Sequence, residues 1–268
     1  MGIIYSNKMS VLSSKRKASG TLVLGHRGVR GLAPEHTLAG FELAIEMGLD
    51  GVEMDVMLCG SGEPVVFHDY RLDVLCGAWG WVENTPLSEL RKLDIGAMFH
   101  PRYRGEKMPT LEEVLDLLKD KMLINIELKG EDADDDGLEP QVAHLARKMG
   151  LIDNVIASSF NPMRIARVKE YAPELATGLL IQNDFAGWLR RFWFAPIRGA
   201  DAIHPEIGMV TKPLVEKWHR NDKTVIAWPA NTEGDMKMLI EAGVDGIISD
   251  RPDRLMRLLG RDHDGREN

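Results

Sequence analysis

A chain of 268 residues with 44% hydrophobic and 28% charged side chains has the composition of a soluble globular protein, long enough to bury a large core. Its net charge of −8 disfavours nucleic acid, whose binding rests on cationic contacts to phosphate, and leaves only a local cationic cluster to hold a small phosphate. Two cysteines, Cys59 and Cys76, without CxxC spacing fit a reducing cytoplasm better than a disulfide scaffold or a metal knuckle, with a single bridge between them left open.

Residues 1–20 read as a disordered leader. They lack the long apolar core and cleavage site of a secretory signal, although Met1-Gly2 with Ser6 follows the outline of a myristoylation signal. No apolar run reaches the roughly 18 residues of a membrane span, so no stable membrane insertion is expected. The body, 21–260, alternates short β-type runs with stretches of helical spacing. The runs are 21–26, 51–58, 122–129, 154–159, 176–181, 201–206, 224–230 and 246–250, and a helical pattern follows each. The last helix is expected to start at Pro252, with Asp250 as its cap. Eight such units in one domain predict an α/β fold, a (β/α)8 TIM barrel. A doubly wound open sheet is the alternative, weakened by the lack of G-x-G-x-x-G after the first run.

Residues 69–109 break the alternation. They are too long for a βα loop and read as a small insertion subdomain after the second strand, with a short helix at "LSELRKL". Its two tryptophans, Trp79 and Trp81, are expected in the insertion's own core, with the alcohol side of a substrate pocket as the other option. The acidic run 131–137 reads as a solvated loop, and 261–268 as a tail.

Catalytic groups of a barrel sit at the C-terminal ends of its strands. The first strand ends at His26 and Arg27, the sixth at His204 and Glu206, and the eighth at Ser249 and Asp250. Glu53 and Asp55 are two apart, so they share a face, as do Glu127 and Lys129. Two carboxylates on one buried face repel each other and resist desolvation, and a divalent cation resolves both problems. With Glu127 as a third oxygen donor the set suits a hard ion, Mg²⁺ or Ca²⁺, with Mn²⁺ as a further option. The plainer alternative puts one carboxylate outside, paired to a helix cation. Arg27 and Lys129 are candidate phosphate ligands, and His26 and His68 at one rim are able to divide acid and base work.

These motifs, "GHRG", "PEHT", "GVEMDV", "PVVFHD", "GEKMPTLEEVL", "NIELK" and "GVDGIISDRPD", occur in order, and from about residue 22 to 258 the chain resembles the glycerophosphodiester phosphodiesterases. The resemblance implies a barrel with an insertion after strand two, and hydrolysis of small glycerophosphodiesters to glycerol 3-phosphate and an alcohol. It implies His26 and His68 as catalytic histidines, Arg27, Lys129 and Trp228 at the substrate, and Glu53, Asp55 and Glu127 as metal ligands, with Glu35 near the metal. Two positions depart from the family pattern: His36 stands where Asn is usual, and Pro229 follows Trp228. A helix cap at position 36 would be weakened by the change, and if the position helps arrange the metal shell, coordination would be altered. The aromatic and basic stretch 184–196 motivates an alternative, lysophospholipase D action at a membrane surface, against an ordinary barrel helix. A non-catalytic barrel that binds a phosphorylated metabolite is a third reading. A metal-dependent amidohydrolase is a fourth, which "GHRG" fits poorly because it supplies only one histidine.

Overall fold

The computed structural model describes residues 20–130, 135–183 and 199–261. The leader, part of the acidic run, the stretch 184–196 and nearly all of the tail therefore lie outside the described residues. The strands are β1 (Leu22–Gly25), β2 (Gly51–Leu58), β3 (Pro64–Val66), β4 (Leu123–Leu128), β5 (Val155–Ser159), β6 (Ala176–Ile181), β7 (Ala202–Pro205), β8 (Thr224–Ala227) and β9 (Gly246–Ser249). All but β3 are parallel to their neighbours. β1 pairs with β2 through Leu24 and Gly51, and with β9 through Leu22 and Gly246, so eight strands close into a barrel. That closure excludes the open doubly wound sheet. β3 extends β2 as an antiparallel hairpin arm.

The pleat sorts each strand's side chains by parity. Val23, Val52, Met54, Ile124 and Ile203 share a core with the helix residues Phe41, Leu115 and Val142. Leu22, Leu24, Leu123, Ile156, Ile226 and Ile248 form a second cluster, inside the barrel. Fully burying one such aliphatic side chain contributes about 1.5–3 kcal/mol, so this two-sided packing is the main stabilising term. The same parity carries upward. Two residues beyond Leu24 stands His26, beyond Ile226 stands Trp228, and beyond Ile248 stands Asp250.

Helices start where the sequence provides oxygen caps. Thr37 accepts from the Gly40 N–H before helix Leu38–Glu46, and Thr110 forms a reciprocal capping box with Glu113 before Leu111–Leu118. The cap of helix Leu38–Glu46 is therefore Thr37 and not residue 36. The last helix, Pro252–Leu258, has Arg251 in the cap position with no side-chain cap bond. Asp250 does not cap it, because its carboxylate turns inward to His26.

Residues 69–109 contain the short helices Asp73–Cys76 and Leu87–Leu90, and their Leu72, Val82, Leu90, Ile95 and Met108 form a small core with Phe67. Trp79 and Trp81 are not in that core: they are 88% and 48% exposed. Trp79 lies between Gly77 and Gly80, both at positive φ, on a turn that carries it away from the packed residues. Cys59 and Cys76 are free thiols. No helix among the described residues is long and apolar enough to cross a membrane.

Candidate active site

A cavity of about 320 Å³ opens at the C-terminal ends of the barrel strands. One wall is polar, with His26, Arg27, His68 and Lys129 around Glu53, Asp55 and Glu127. The other is largely apolar, with Phe160, Leu180, Trp228, Pro229 and Ile248. That volume suits a small molecule. Eight of the nine site residues expected from the sequence line it, and Glu35 does not.

The chain leaves β1 through Arg27 at φ 51° and Gly28 at φ 83°. This left-handed turn lets the Gly28 N–H reach the Glu53 carbonyl at 3.3 Å and the Arg27 N–H reach Glu53 Oε2 at 3.1 Å. The Arg27 side chain donates to Glu35 Oε1 at 2.8 Å and lies 3.4 Å from Asp55 Oδ2. Glu35 thus acts on the site through Arg27.

β2 and β4 are parallel neighbours in the register Asp55↔Glu127. Carboxylate oxygens of Glu53, Asp55 and Glu127 all lie within 4.8 Å of one another. At such a distance two unit charges repel by about 3–4 kcal/mol even at an effective dielectric near 20. Burial, then the neighbouring Asp55 and Glu127, hold Glu53 well above the usual carboxylate range. Burial and then Asp55 push Glu127 up to about 8. Asp55 goes the other way: burial alone would raise it, but His36, Lys129 and Arg27 outweigh that and hold it low. Lys129 Nζ lies 3.5 Å from both Asp55 and Glu127, and these anions raise its pKa against the opposing effect of burial.

Neither oxygen of Asp55 takes part in a hydrogen bond, although both are buried. A buried carboxylate with ion-pair neighbours but no hydrogen bond is incompletely compensated for its lost water. The three carboxylates, all hard oxygen donors, fit a divalent cation. A second acidic group, Asp135, Asp136 and Glu139, does not fit one. Arg164 already fills it, 2.6 Å from Asp136 and 3.0 Å from Glu139, and Arg164 also donates to the Gly130 carbonyl beside Lys129.

The two histidines are held alike. His26 Nδ1 lies 2.5 Å from Asp250 Oδ1, and His68 Nδ1 lies 2.8 Å from Asp69 Oδ1. Each carboxylate favours the tautomer with the proton on Nδ1 and leaves Nε2 to exchange protons. Burial lowers the pKa of His68. His26 Nε2 lies 3.8 Å from Glu53. Asp250 is in turn fixed by Asn231, whose Nδ2 donates to Asp250 Oδ2 at 2.8 Å and whose Oδ1 accepts the Asp250 N–H at 2.9 Å.

Neither member of this pair was identified as a site residue from the sequence. Asp250 was visible only as a polar strand end, and Asn231 gave no local signal. Trp228 donates from Nε1 to the His204 carbonyl at 2.7 Å and meets Phe160 edge-on at 5.4 Å, which fixes the apolar wall. His204 itself is not in the pocket. It is buried within the barrel, where desolvation pushes its pKa down to about 3.

His36 lies behind Asp55. It is fully buried at φ 58°, a left-handed conformation tolerated by Asn and His better than by most side chains. Its backbone N–H donates to the Arg27 carbonyl at 3.1 Å, and its Nε2 accepts the Asp55 N–H at 3.0 Å. The residue thereby ties the Arg27 turn to the strand that carries the acidic cluster.

Residues 26–254 match the Glycerophosphoryl diester phosphodiesterase family. A glycerophosphodiester phosphodiesterase of Caldanaerobacter subterraneus subsp. tengcongensis is 38% identical over 240 residues, 89% of this chain and 98% of that protein. A phosphodiesterase of Oleispira antarctica, solved in complex with the product sn-glycerol-3-phosphate, superposes with a TM-score of 0.76 at 30% identity. The match covers 89% of this chain and 96% of that one. A glycerophosphodiester phosphodiesterase of Agrobacterium tumefaciens superposes with a TM-score of 0.76 at 26% identity, covering 88% of this chain and 99% of that one.

Proposed function

Because the chain belongs to the glycerophosphoryl diester phosphodiesterase family, we propose that it hydrolyses small glycerophosphodiesters to glycerol 3-phosphate and an alcohol, with His26 and His68 as the proton-transfer pair. The observation that carries this reading is the convergence in one cavity of two carboxylate-oriented histidines, two largely buried cations and three carboxylates.

Glu53, Asp55 and Glu127 would hold one divalent cation, with Mg²⁺, Ca²⁺ and Mn²⁺ all compatible with the oxygen set. When bound, such an ion supplies Lewis-acid polarisation of a phosphoryl oxygen. Arg27 and Lys129, each already aligned by two carboxylates, stabilise the negative charge that grows on the phosphate oxygens. Nε2 of one histidine takes the proton of the attacking water, or of a substrate hydroxyl whose cyclic phosphate water then opens, as its oxygen bonds to phosphorus. Nε2 of the other protonates the departing alkoxide as its bond to phosphorus breaks. Asp250 and Asp69 keep the rings in the orientation and tautomer these steps require. Trp228 and Phe160 form an apolar wall that excludes water from one side of the reacting group. The two free thiols support the reading that the enzyme works in a reducing compartment, the cytoplasm.

The test is release of glycerol phosphate from glycerophosphocholine or glycerophosphoethanolamine. Activity should vanish with EDTA and return with added Mg²⁺, Ca²⁺ or Mn²⁺, and His26→Ala should abolish it. Full activity in His26→Ala would overturn the assignment.

A further inference from the structure

The cavity holds a third cation that the mechanism does not use. Arg30 lines it from the turn after β1. The three cations differ in how they are held. Arg27 and Lys129 are almost buried, 12% and 13% exposed, and each lies between two carboxylates of the site. Arg30 is 37% exposed. Both of its ion-pair contacts run through Nε, at 3.1 Å to Glu35 Oε2 and 3.8 Å to Asp250 Oδ1. Glu35 is shared, since its other oxygen pairs with Arg27. One carboxylate thus serves two guanidinium groups.

Position then decides what Arg30 meets. The phosphate belongs with Arg27, Lys129 and the acidic cluster, in the buried floor of the cavity. Arg30 is more exposed than either, on the edge where β1 meets β9, beside the Asp250 that orients His26. A group reaching it is the part of the substrate that extends past His26 toward the rim. The glycerol half of every substrate in this class is the same and uncharged. A rim guanidinium therefore discriminates among substrates only through the variable alcohol half. A half-exposed guanidinium attracts a carboxylate or phosphate there, and it repels a quaternary ammonium.

We infer that Arg30 is a specificity residue that selects glycerophosphodiesters whose alcohol carries an anionic group, and selects against those of cationic alcohols such as choline. The inference rests on the phosphodiesterase reading above and deepens it by naming the substrate class. A long flexible arginine on a solvated rim is worth about a factor of ten in such a choice, between the weak pull of an exposed ion pair and the stronger one of a desolvated charged hydrogen bond.

The experiment uses three glycerophosphodiesters of near-equal size. Their alcohols end in a trimethylammonium (choline), a neutral tert-butyl group (3,3-dimethylbutanol) and a carboxylate (3-hydroxypropionate). kcat/KM is measured for each with the native enzyme, Arg30→Gln and Arg30→Lys. The native enzyme is expected to prefer the carboxylate over choline about tenfold or more, with the neutral ester between them. Arg30→Gln should collapse that order to within about twofold, and Arg30→Lys should keep most of it. A native enzyme that shows no charge preference overturns the inference. So does an Arg30→Gln enzyme slowed equally on all three substrates, which would place Arg30 on the phosphate. Hydrolysis of none of the three by the native, metal-supplied enzyme would overturn the phosphodiesterase reading itself, so the two failures are distinct.

Discussion

The two ends of the barrel use acidic residues in opposite ways. At the N-terminal end Asp50, Asp201 and Asp245 stand just before β2, β7 and β9. Each accepts a backbone N–H from a neighbouring strand, at 2.8 Å from Val23, 2.9 Å from Thr177 and 2.7 Å from Val225. Each also meets a basic side chain: Arg261 in a two-pronged contact, Lys169, and His219. At the C-terminal end Glu53, Asp55 and Glu127 crowd together, and neither oxygen of Asp55 is hydrogen-bonded. The same chemical group is hydrogen-bonded where it ties strands together and, at Asp55, lacks hydrogen bonds in the proposed metal site. The contrast separates residues that hold the barrel from residues that use it.

The largest effect expected from this contrast is on catalysis. Glu53→Gln should lower kcat on the order of 10³-fold, as loss of a group that acts on transition-state charge does. It should leave the stability of the metal-free protein unchanged or raised, since Glu53 is held above the usual carboxylate range and gains nothing from its charge there. A marked fall in the unfolding midpoint of this variant would break the contrast.

Next comes pH. In the metal-free protein Glu127 is pushed up to about 8 from an ordinary 4.5. An acid raised on folding binds more protons folded than unfolded between those values. Stability therefore falls as pH rises from 4.5 to about 8, and levels off above. Thermal unfolding of chelator-treated protein across this window should show the fall. Saturating Mg²⁺ should flatten it, and Glu127→Gln should reduce it, leaving the share of Glu53, which is also held high. A midpoint that rises with pH in this window would contradict the assignment.

At the opposite end, Asp245→Ala strands the Val225 N–H and should cost about 1–3 kcal/mol in urea unfolding. The folded fraction should keep its native kcat. Lost activity at full stability would mean that the two ends are not separable. The smallest effect belongs to a position on neither end: Trp79→Ala removes an 88% exposed ring and should change stability by no more than about 0.5 kcal/mol.

Much of this organisation was legible beforehand, and for a local reason. The barrel units follow from alternating runs and helical spacing, and β2 and β6 have the bounds expected from the sequence, 51–58 and 176–181. Glu53 and Asp55 share a face because the pleat has period two. The insertion's tryptophans did not follow the same logic. Hydrophobic character predicts burial only on average, and the glycine-bounded turn at Trp79 carries it outward. Position 36 offers two roles, a helix cap or a support of the metal shell; Thr37 does the capping, and His36 braces the strand beneath Asp55.

The amino-acid order alone was enough for the strand and helix rhythm, the paired carboxylates and the histidines at strand ends, because each is written within a few neighbouring residues. Only barrel closure brought Asp250 to His26, 224 positions away, and seated Asn231 behind it. Closure likewise set Arg30 beside Asp250. Such partners are chosen by which strands become neighbours when β9 meets β1, and no local period in the chain carries that information.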